Sequence, residues 1–340
     1  MPSSVPSHDS AGFKSTGKKR VLSGVKPTGK AHLGNYLGAM KNHAAMQNDF
    51  DSFIFIADLH SLTTVRDSKL LQELITDLAL DYLALGINPD KTVFFRQSDV
   101  PEHSELTWIL NCVTPMSMLE LAHAYKDAVA KGTKEINAGV FDYPVLMAVD
   151  ILLYKPDIVP VGKDQKQHVE IARDIAGKFN RTFGEVFKLP QPYIPEEAAI
   201  VIGTDGQKMS KSYGNTIEIF APEKDLKKQV MGVVTDSTPV EAPKDPNKDN
   251  VYKLYTYFAT EEQKKSLADK YLAGGFGYGD AKKLLLETIM EHFKHYREER
   301  EKLKQNLDYV KDVLKKGAEK ARVVASATKA EVWEKTGLKL

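Results

Sequence analysis

The chain has 340 residues, more than one typical hydrophobic core organises, so two domains are expected. Its 47 basic and 46 acidic side chains nearly cancel, which excludes binding of nucleic acid through bulk charge and leaves local patches for any RNA contact. The single cysteine, Cys112, excludes an internal disulfide and any multi-cysteine metal site, and it fits a cytoplasmic location.

Residues 1–19 are rich in Ser, Gly, Pro and Lys without an apolar core, and read as a flexible tail rather than a signal peptide. No apolar run reaches the roughly 18 residues that a membrane span needs. A short apolar run at 21–25 reads as a buried strand. After it comes Pro27-Thr28-Gly29-Lys30-Ala31-His32-Leu33-Gly34-Asn35, which opens a helix. Free backbone N–H groups at such a helix start point at an anion, and Gly29 and Gly34 let the backbone approach it closely. His32 can donate to a phosphate oxygen, and Asn35 adds a neutral polar contact.

Further buried strands are expected at 53–57, 92–95 and 158–161. Between the second and third, Leu71, Leu74, Leu78, Tyr82 and Leu85 recur at helical spacing. Asp67 and Ser68 cap that helix, and Gly86 and Pro89 end it. This rhythm predicts an α/β fold, a doubly wound parallel sheet with its ligand crevice at the carboxyl ends of the strands, where His32, His60 and Asp164 fall. Residues 143–154 are almost wholly apolar around one carboxylate, Asp150, which is costly there unless paired. An ionised Asp only accepts hydrogen bonds and an indole N–H only donates, so the two match. A phenol O–H also fits, and Asp150 alone leaves tyrosine open as a ligand.

After the fourth strand comes Val159-Pro160-Val161-Gly162-Lys163-Asp164-Gln165-Lys166-Gln167-His168. Gly162 permits close backbone approach, and Asp164 and Gln165 suit a ribose hydroxyl or an amino acid ammonium. His168 reads as a structural or surface histidine. Lys208-Met209-Ser210-Lys211-Ser212 places two ammonium groups three residues apart in a polar loop, which suits a clamp on phosphate charge. From about 221 the chain turns to long, charge-laced helical segments, interrupted at Pro239, Pro243 and Pro246.

These segments together resemble the bacterial-type tryptophanyl-tRNA synthetases, a class I family, over nearly everything from Arg20 onward. The likeness rests on the two signatures, on Met-Ala-Val-Asp-Ile-Leu at 147–152, on the 159–168 stretch, and on Gly-Ala-Glu-Lys-Ala-Arg-Val-Val-Ala at 317–325. It implies a Rossmann-type catalytic domain at 20–220 with a dimer-forming helical insert near 108–138, and a C-terminal all-helical domain at 221–340 that meets the anticodon. It implies that His32, Lys208 and Lys211 are catalytic. By the same likeness Lys26, Pro27, Thr28, Gly34, Asn35, Gly162, Lys163, Asp164, Ile200, Lys208, Met209, Ser210, Lys211 and Ser212 hold ATP. Tyr143, Met147, Asp150, His60, Val161 and Gln165 hold L-tryptophan. The implied reaction forms tryptophanyl-adenylate with Mg²⁺ on the phosphates and passes the acyl group to tRNA(Trp). A homodimer is expected, with no metal held by the protein alone and no membrane contact. Lys224, Lys227, Lys228 and the 315–322 region are candidate phosphate contacts. Three positions depart from the family pattern: Lys26 stands where Gln is common, Lys163 replaces an acidic residue, and Asn35 replaces the second His of the general class I signature. Three rival readings remain: a tyrosyl-tRNA synthetase on the same scaffold, another nucleotidyl-transferring ligase, which the helical C-terminal domain disfavours, and a synthetase relative that only binds RNA or regulates another protein.

Overall fold

The first signature sits at the carboxyl end of the central strand of a parallel sheet. In this computed structural model, residues 17–130, 132, 136–162, 166–193 and 201–339 are described. Among them the sheet has five strands, β1 (Arg20–Val25), β2 (Asp51–Ile56), β3 (Thr92–Arg96), β4 (Ile158–Pro160) and β5 (Gln191–Tyr193). All pair in parallel, in the order β3-β2-β1-β4-β5. The four expected strands lie within two residues of their predicted ends. β5 was not expected: it has three residues, one of them Pro192, too few to carry a periodic signal.

Helix α1 (Leu33–Asn35) continues through a π-helical turn, Tyr36–Met40, into α2 (Lys41–Met46). After β2 come α3 (Asp58–Ser61) and α4 (Ser68–Ala84). Between β3 and β4 lie α5 (Glu102–Asn111), α6 (Met116–Glu120), α7 (His123–Ala130) and α8 (Ala138–Leu152), and α9 (Lys166–Phe183) joins β4 to β5. The later helices are α10 (Glu223–Met231), α11 (Asn250–Thr256), α12 (Glu261–Ala273), α13 (Tyr278–Lys304) and α14 (Leu307–Thr336). Helix α4 begins as the sequence predicts: the Asp67 carboxylate accepts from the Lys69 and Leu70 N–H groups at 2.8 and 3.1 Å.

Both faces of the sheet are covered, which is why its strands read as continuous apolar runs. Ile54, Ile56 and Phe94 face a core shared with α4 and α13, while Phe53, Phe55, Val93 and Phe95 face one shared with α5, α8 and α9. The last helix, α14, returns to the sheet and packs on the edge strand β3. Its Val310, Val313 and Leu314 join the first core, and Ala318, Ala321, Ala325 and Val332 join the second. The approach is closest at Gly317, where an added Cβ would stand 1.8 Å from the Phe94 carbonyl oxygen. Glu102, Glu105 and Lys155 of the sheet domain pair with Arg322, Lys329 and Glu331 along the same helix.

Candidate active site

The strand order reverses beside β1, and the crevice opens there, at the carboxyl ends of β1, β2 and β4. A cavity of about 600 Å³ occupies it, lined among others by Lys26, Asn35, His43, His60, Tyr143, Met147, Asp150, Val161, Gly162 and His168. Tyr143, Met147 and Asp150 share one face of α8, because their spacing of four and three follows the helical repeat. The Tyr143 ring packs against the His60 ring at 4.3 Å. His168, read from sequence as structural or surface, is buried and lines the cavity.

Asp150 lies at the bottom, 2% exposed. Its Oδ2 accepts from His60 Nε2 at 2.7 Å, and its Oδ1 accepts from Gln97 Nε2 at 2.6 Å and His103 Nδ1 at 2.7 Å. His103 Nε2 in turn meets the Tyr154 hydroxyl at 2.8 Å. Burial alone would raise the Asp150 pKa, but the charge and hydrogen bonds of His60 and His103 outweigh it and hold the group at about 2. A carboxylate has about four acceptor positions, so three donors leave one on Oδ2 for a ligand N–H. Sequence reasoning required a partner for Asp150 and named none of Gln97, His103 and Tyr154. Gln97 and His103 follow the end of β3, as His60 follows β2, and that shared position was the available signal.

The first signature corrects one expectation. Its helix-start N–H groups are not free. Leu33 N donates to the Ile217 carbonyl at 2.9 Å, and Asn35 N donates to His32 Nδ1 at 3.3 Å. His32 N donates to Asn35 Oδ1 at 3.3 Å, completing a reciprocal cap. Gly34 N points at the Met209 sulfur at 3.3 Å, a weak acceptor that a phosphate oxygen would readily displace. His32 is buried, and burial together with the Lys211 charge lowers its pKa to about 4. It is therefore neutral near pH 7. Because Nδ1 accepts from Asn35, Nε2 carries the proton and is the donor left for a ligand.

The second signature reaches the first through two side chains. Met209 lies against Gly34, and the Lys211 ammonium lies beside Gly29, where a Cβ would stand 3.5 Å from Nζ. Partial desolvation lowers the Lys211 pKa, against the pull of Asp81 and Glu218. Lys208 and Ser212 are exposed, and Ser210 Oγ meets Ser212 Oγ at 2.8 Å. Asn215, absent from the expected residues, fixes this loop. Its Oδ1 accepts from Ser210 N at 2.8 Å, and its Nδ2 donates to the Lys208 carbonyl at 3.1 Å and to Asp205 at 2.7 Å.

The cavity unites Lys26, Asn35, His60, Tyr143, Met147, Asp150, Val161 and Gly162. The other expected residues with described positions, Pro27, Thr28, His32, Gly34 and 208–212, do not line it. Lys26 donates to Thr63 Oγ1 at 3.2 Å, and burial lowers its pKa. Lys163, Asp164, Gln165 and Ile200 lie outside the described residues, as do residues 1–16 of the expected tail.

The family model for class I tRNA synthetases of the W and Y type matches residues 14–294. The tryptophan–tRNA ligase of Fusobacterium nucleatum subsp. nucleatum is 56% identical over 308 residues, covering 90% of this chain and 94% of its own. The chain belongs to the tryptophanyl-tRNA synthetases, in class I. A second such synthetase, the tryptophan–tRNA ligase of Rhodopirellula baltica, is 51% identical over 320 residues, 94% of this chain and all of its own. The Campylobacter jejuni tryptophanyl-tRNA synthetase complexed with ADP and tryptophan superposes with a TM-score of 0.91 at 49% identity, covering 94% of this chain and 99% of that one. Membership removes the tyrosine-enzyme reading. Among the described residues no helix is long and apolar enough to cross a membrane.

Proposed function

We propose a division of labour among the residues of this ATP-dependent tryptophan–tRNA ligase, which activates L-tryptophan to tryptophanyl-adenylate and transfers it to tRNA(Trp). Asp150 reads the indole N–H through the acceptor position its three protein donors leave open. That buried, ionised and incompletely saturated carboxylate is the observation that carries the reading. A site whose acceptor stays unpaired rejects phenylalanine strongly. Tyr143, Met147, His60 and Val161 form the walls of the pocket, and Gln165 takes the amino acid ammonium.

The tryptophan carboxylate attacks the ATP α-phosphate and pyrophosphate leaves. His32 Nε2–H, Lys208 and Lys211 hold the phosphates and offset the charge that builds in the transition state. Gly34, Asn35, Gly162, Asp164 and the 208–212 loop frame the nucleotide, with Lys26, Pro27, Thr28, Lys163 and Ile200 around it. Mg²⁺ belongs on the triphosphate, because Lys208 and Lys211 of the 208–212 loop are cations and cannot ligate it. Exposed Lys224, Lys227 and Lys228 on α10 suit RNA phosphates. The 315–322 region suits them less. Arg322 is paired with Glu102, Lys320 donates to the Pro89 carbonyl, and Lys316 is paired with Asp312.

The helical insert carries Trp108, Met116, Leu121 and Val129, all more than half exposed, an apolar face that fits a second copy of the chain. We place the enzyme in the cytoplasm, as one cysteine and no membrane-spanning helix among the described residues allow. ATP–pyrophosphate exchange with tryptophan, tyrosine and phenylalanine supplied separately tests the assignment. Exchange with tryptophan alone is expected. Exchange with phenylalanine at a comparable kcat/KM would overturn the role of Asp150, and no exchange from folded protein that binds tRNA would favour an RNA-binding role alone.

A further inference from the structure

Strands β2 and β3 stay paired as far as Ile56 and Arg96, and the segment beyond each supplies a donor to Asp150. His60 comes from α3, after β2, and Gln97 from a short 3₁₀ turn, Gln97–Asp99, after β3. Beyond the last strand pair, one side chain joins the two segments. Asp58 opens α3, buried and outside the lining of the cavity. Its Oδ1 accepts from Ser98 N at 3.0 Å and from Leu59 N at 3.1 Å, and its Oδ2 accepts from Ser98 Oγ at 2.5 Å. The neighbouring Arg96 guanidinium binds Asp99 through two nitrogens, at 2.5 and 2.8 Å, so Asp58 serves backbone and hydroxyl donors.

The Leu59 N–H is shared with Gln97 Oε1, at 3.2 Å, and this leaves Gln97 Nε2 facing Asp150 Oδ1 at 2.6 Å. The sharing settles which way the buried Gln97 amide stands. Turned over, it would set its oxygen against the Asp150 carboxylate and its NH₂ against the Leu59 N–H. One residue past Leu59, His60 Nε2 reaches Asp150 Oδ2 at 2.7 Å. A carboxyl group buried as Asp58 is would be costly without partners, and an apolar residue would pack there at no such cost. What the carboxylate adds is a single group that holds donors from both segments.

We infer that Asp58 is a positioning residue for tryptophan recognition: by joining Leu59 to Ser98 it sets His60 and Gln97 at the spacing that holds Asp150 with one acceptor open. It acts on the ligand through those side chains. The inference rests on the proposed reading of the indole N–H by Asp150. It specifies which step the junction serves: tryptophan recognition is affected, and ATP engagement is not.

The test is steady-state pyrophosphate exchange on Asp58→Ala, Asp58→Asn, Asp150→Asn and the Asp58→Ala/Asp150→Asn pair, with rates expressed per active site from the adenylate burst. For Asp58→Ala, KM for tryptophan should rise roughly tenfold, the scale of coupling within one contact network, and KM for ATP should stay within twofold. Asp58→Asn should stay within threefold of wild type in both. Its Oδ1 keeps the Leu59 and Ser98 N–H groups, and the Ser98 hydroxyl turns to accept from the amide. The double variant should lie within threefold of Asp150→Asn in kcat/KM for tryptophan, because Asp58 acts through the donors to Asp150. A purely structural role would lower the fraction of folded enzyme and leave both KM values unchanged per active site, which would overturn the inference. So would a parallel rise in both, or an asparagine variant as impaired as the alanine one. If Asp58→Ala does not fold, Ser98→Ala decides: a threefold or greater rise in KM for tryptophan alone is expected, and an unchanged value would overturn the link. Asp150→Asn separates the underlying reading. Wild-type kcat/KM there would remove the indole assignment itself, whereas an impaired Asp150→Asn beside an unaltered Asp58→Ala would remove the role of Asp58 alone.

Discussion

Replacing Asp150 with Asn exchanges one carboxylate oxygen for an amide nitrogen in a site built from donors. Oδ1 can keep both of its bonds, from Gln97 and His103. The amide nitrogen then takes the place of Oδ2, and His60 must accept at Nε2. It can do so, because its Nδ1, buried with no partner among the described residues, can carry the proton instead. The protein network therefore survives once His60 Nε2 is free of its proton. The stability cost is about 1 to 2 kcal/mol, the difference between charge-assisted and neutral hydrogen bonds. The ligand has no such escape. The open acceptor becomes a donor facing the indole N–H, and a bond to a charged group worth roughly 1.5 to 3 kcal/mol is lost. At 1.4 kcal/mol per tenfold, kcat/KM for tryptophan should fall about 10- to 150-fold. Asp150→Ala is a poorer probe, since it strands three buried donors and should cost about 3 to 5 kcal/mol of stability. The assay is tryptophan-dependent pyrophosphate exchange, with thermal denaturation to establish folding. A folded Asp150→Asn enzyme within threefold of wild-type kcat/KM would refute the argument.

Lys211→Ala should reduce kcat for exchange by about 10² to 10³, the usual effect of removing one transition-state contact, with tryptophan affinity by equilibrium dialysis changed less than threefold. Gly317→Ala should destabilise the fold by about 3 kcal/mol or more in urea denaturation, because its Cβ would overlap the Phe94 carbonyl and lift α14 from β3. His43, buried against the Tyr82 hydroxyl at 3.0 Å, has its pKa lowered by burial from 6.5 to about 4. The proton thus prefers the unfolded chain. Stability from this group is complete above pH 6.5 and declines by about 3 kcal/mol as pH falls to 4. His43→Gln should flatten a plot of unfolding free energy against pH in that interval. Asp150 has the opposite charge logic and a lower window. Its pKa is depressed to about 2, so its contribution is intact above pH 3.8 and lost as pH falls toward 2.

The four longer or more apolar strands were legible because a parallel strand covered on both faces must be apolar throughout, as 53–56 is. Helix α4 was legible because its cap, repeat and stop are local. The two signatures were recognised as a pair, although their contact depends on Met209 and Lys211 crossing 175 residues or more of chain to Gly34 and Gly29. The expectation of free N–H groups at the first signature failed for a local and a distant reason. His32 and Asn35 cap each other, and the 217–219 segment, far along the chain, supplies a carbonyl to Leu33.

By itself the sequence determined the alternation of strand and helix, the demand that Asp150 find partners, and the chemistry of a phosphate clamp, since these follow from residue type and local period. Only the tertiary structure decided which donors meet Asp150, that α14 packs on β3, and that Arg297 and Arg300 of α13 bond to the Ile219 carbonyl and to Asp81. The reason is physical. Periodicity encodes which face of an element is buried, but the partner across that face is set by strand register and helix crossing, and these are fixed only when the whole core packs at once.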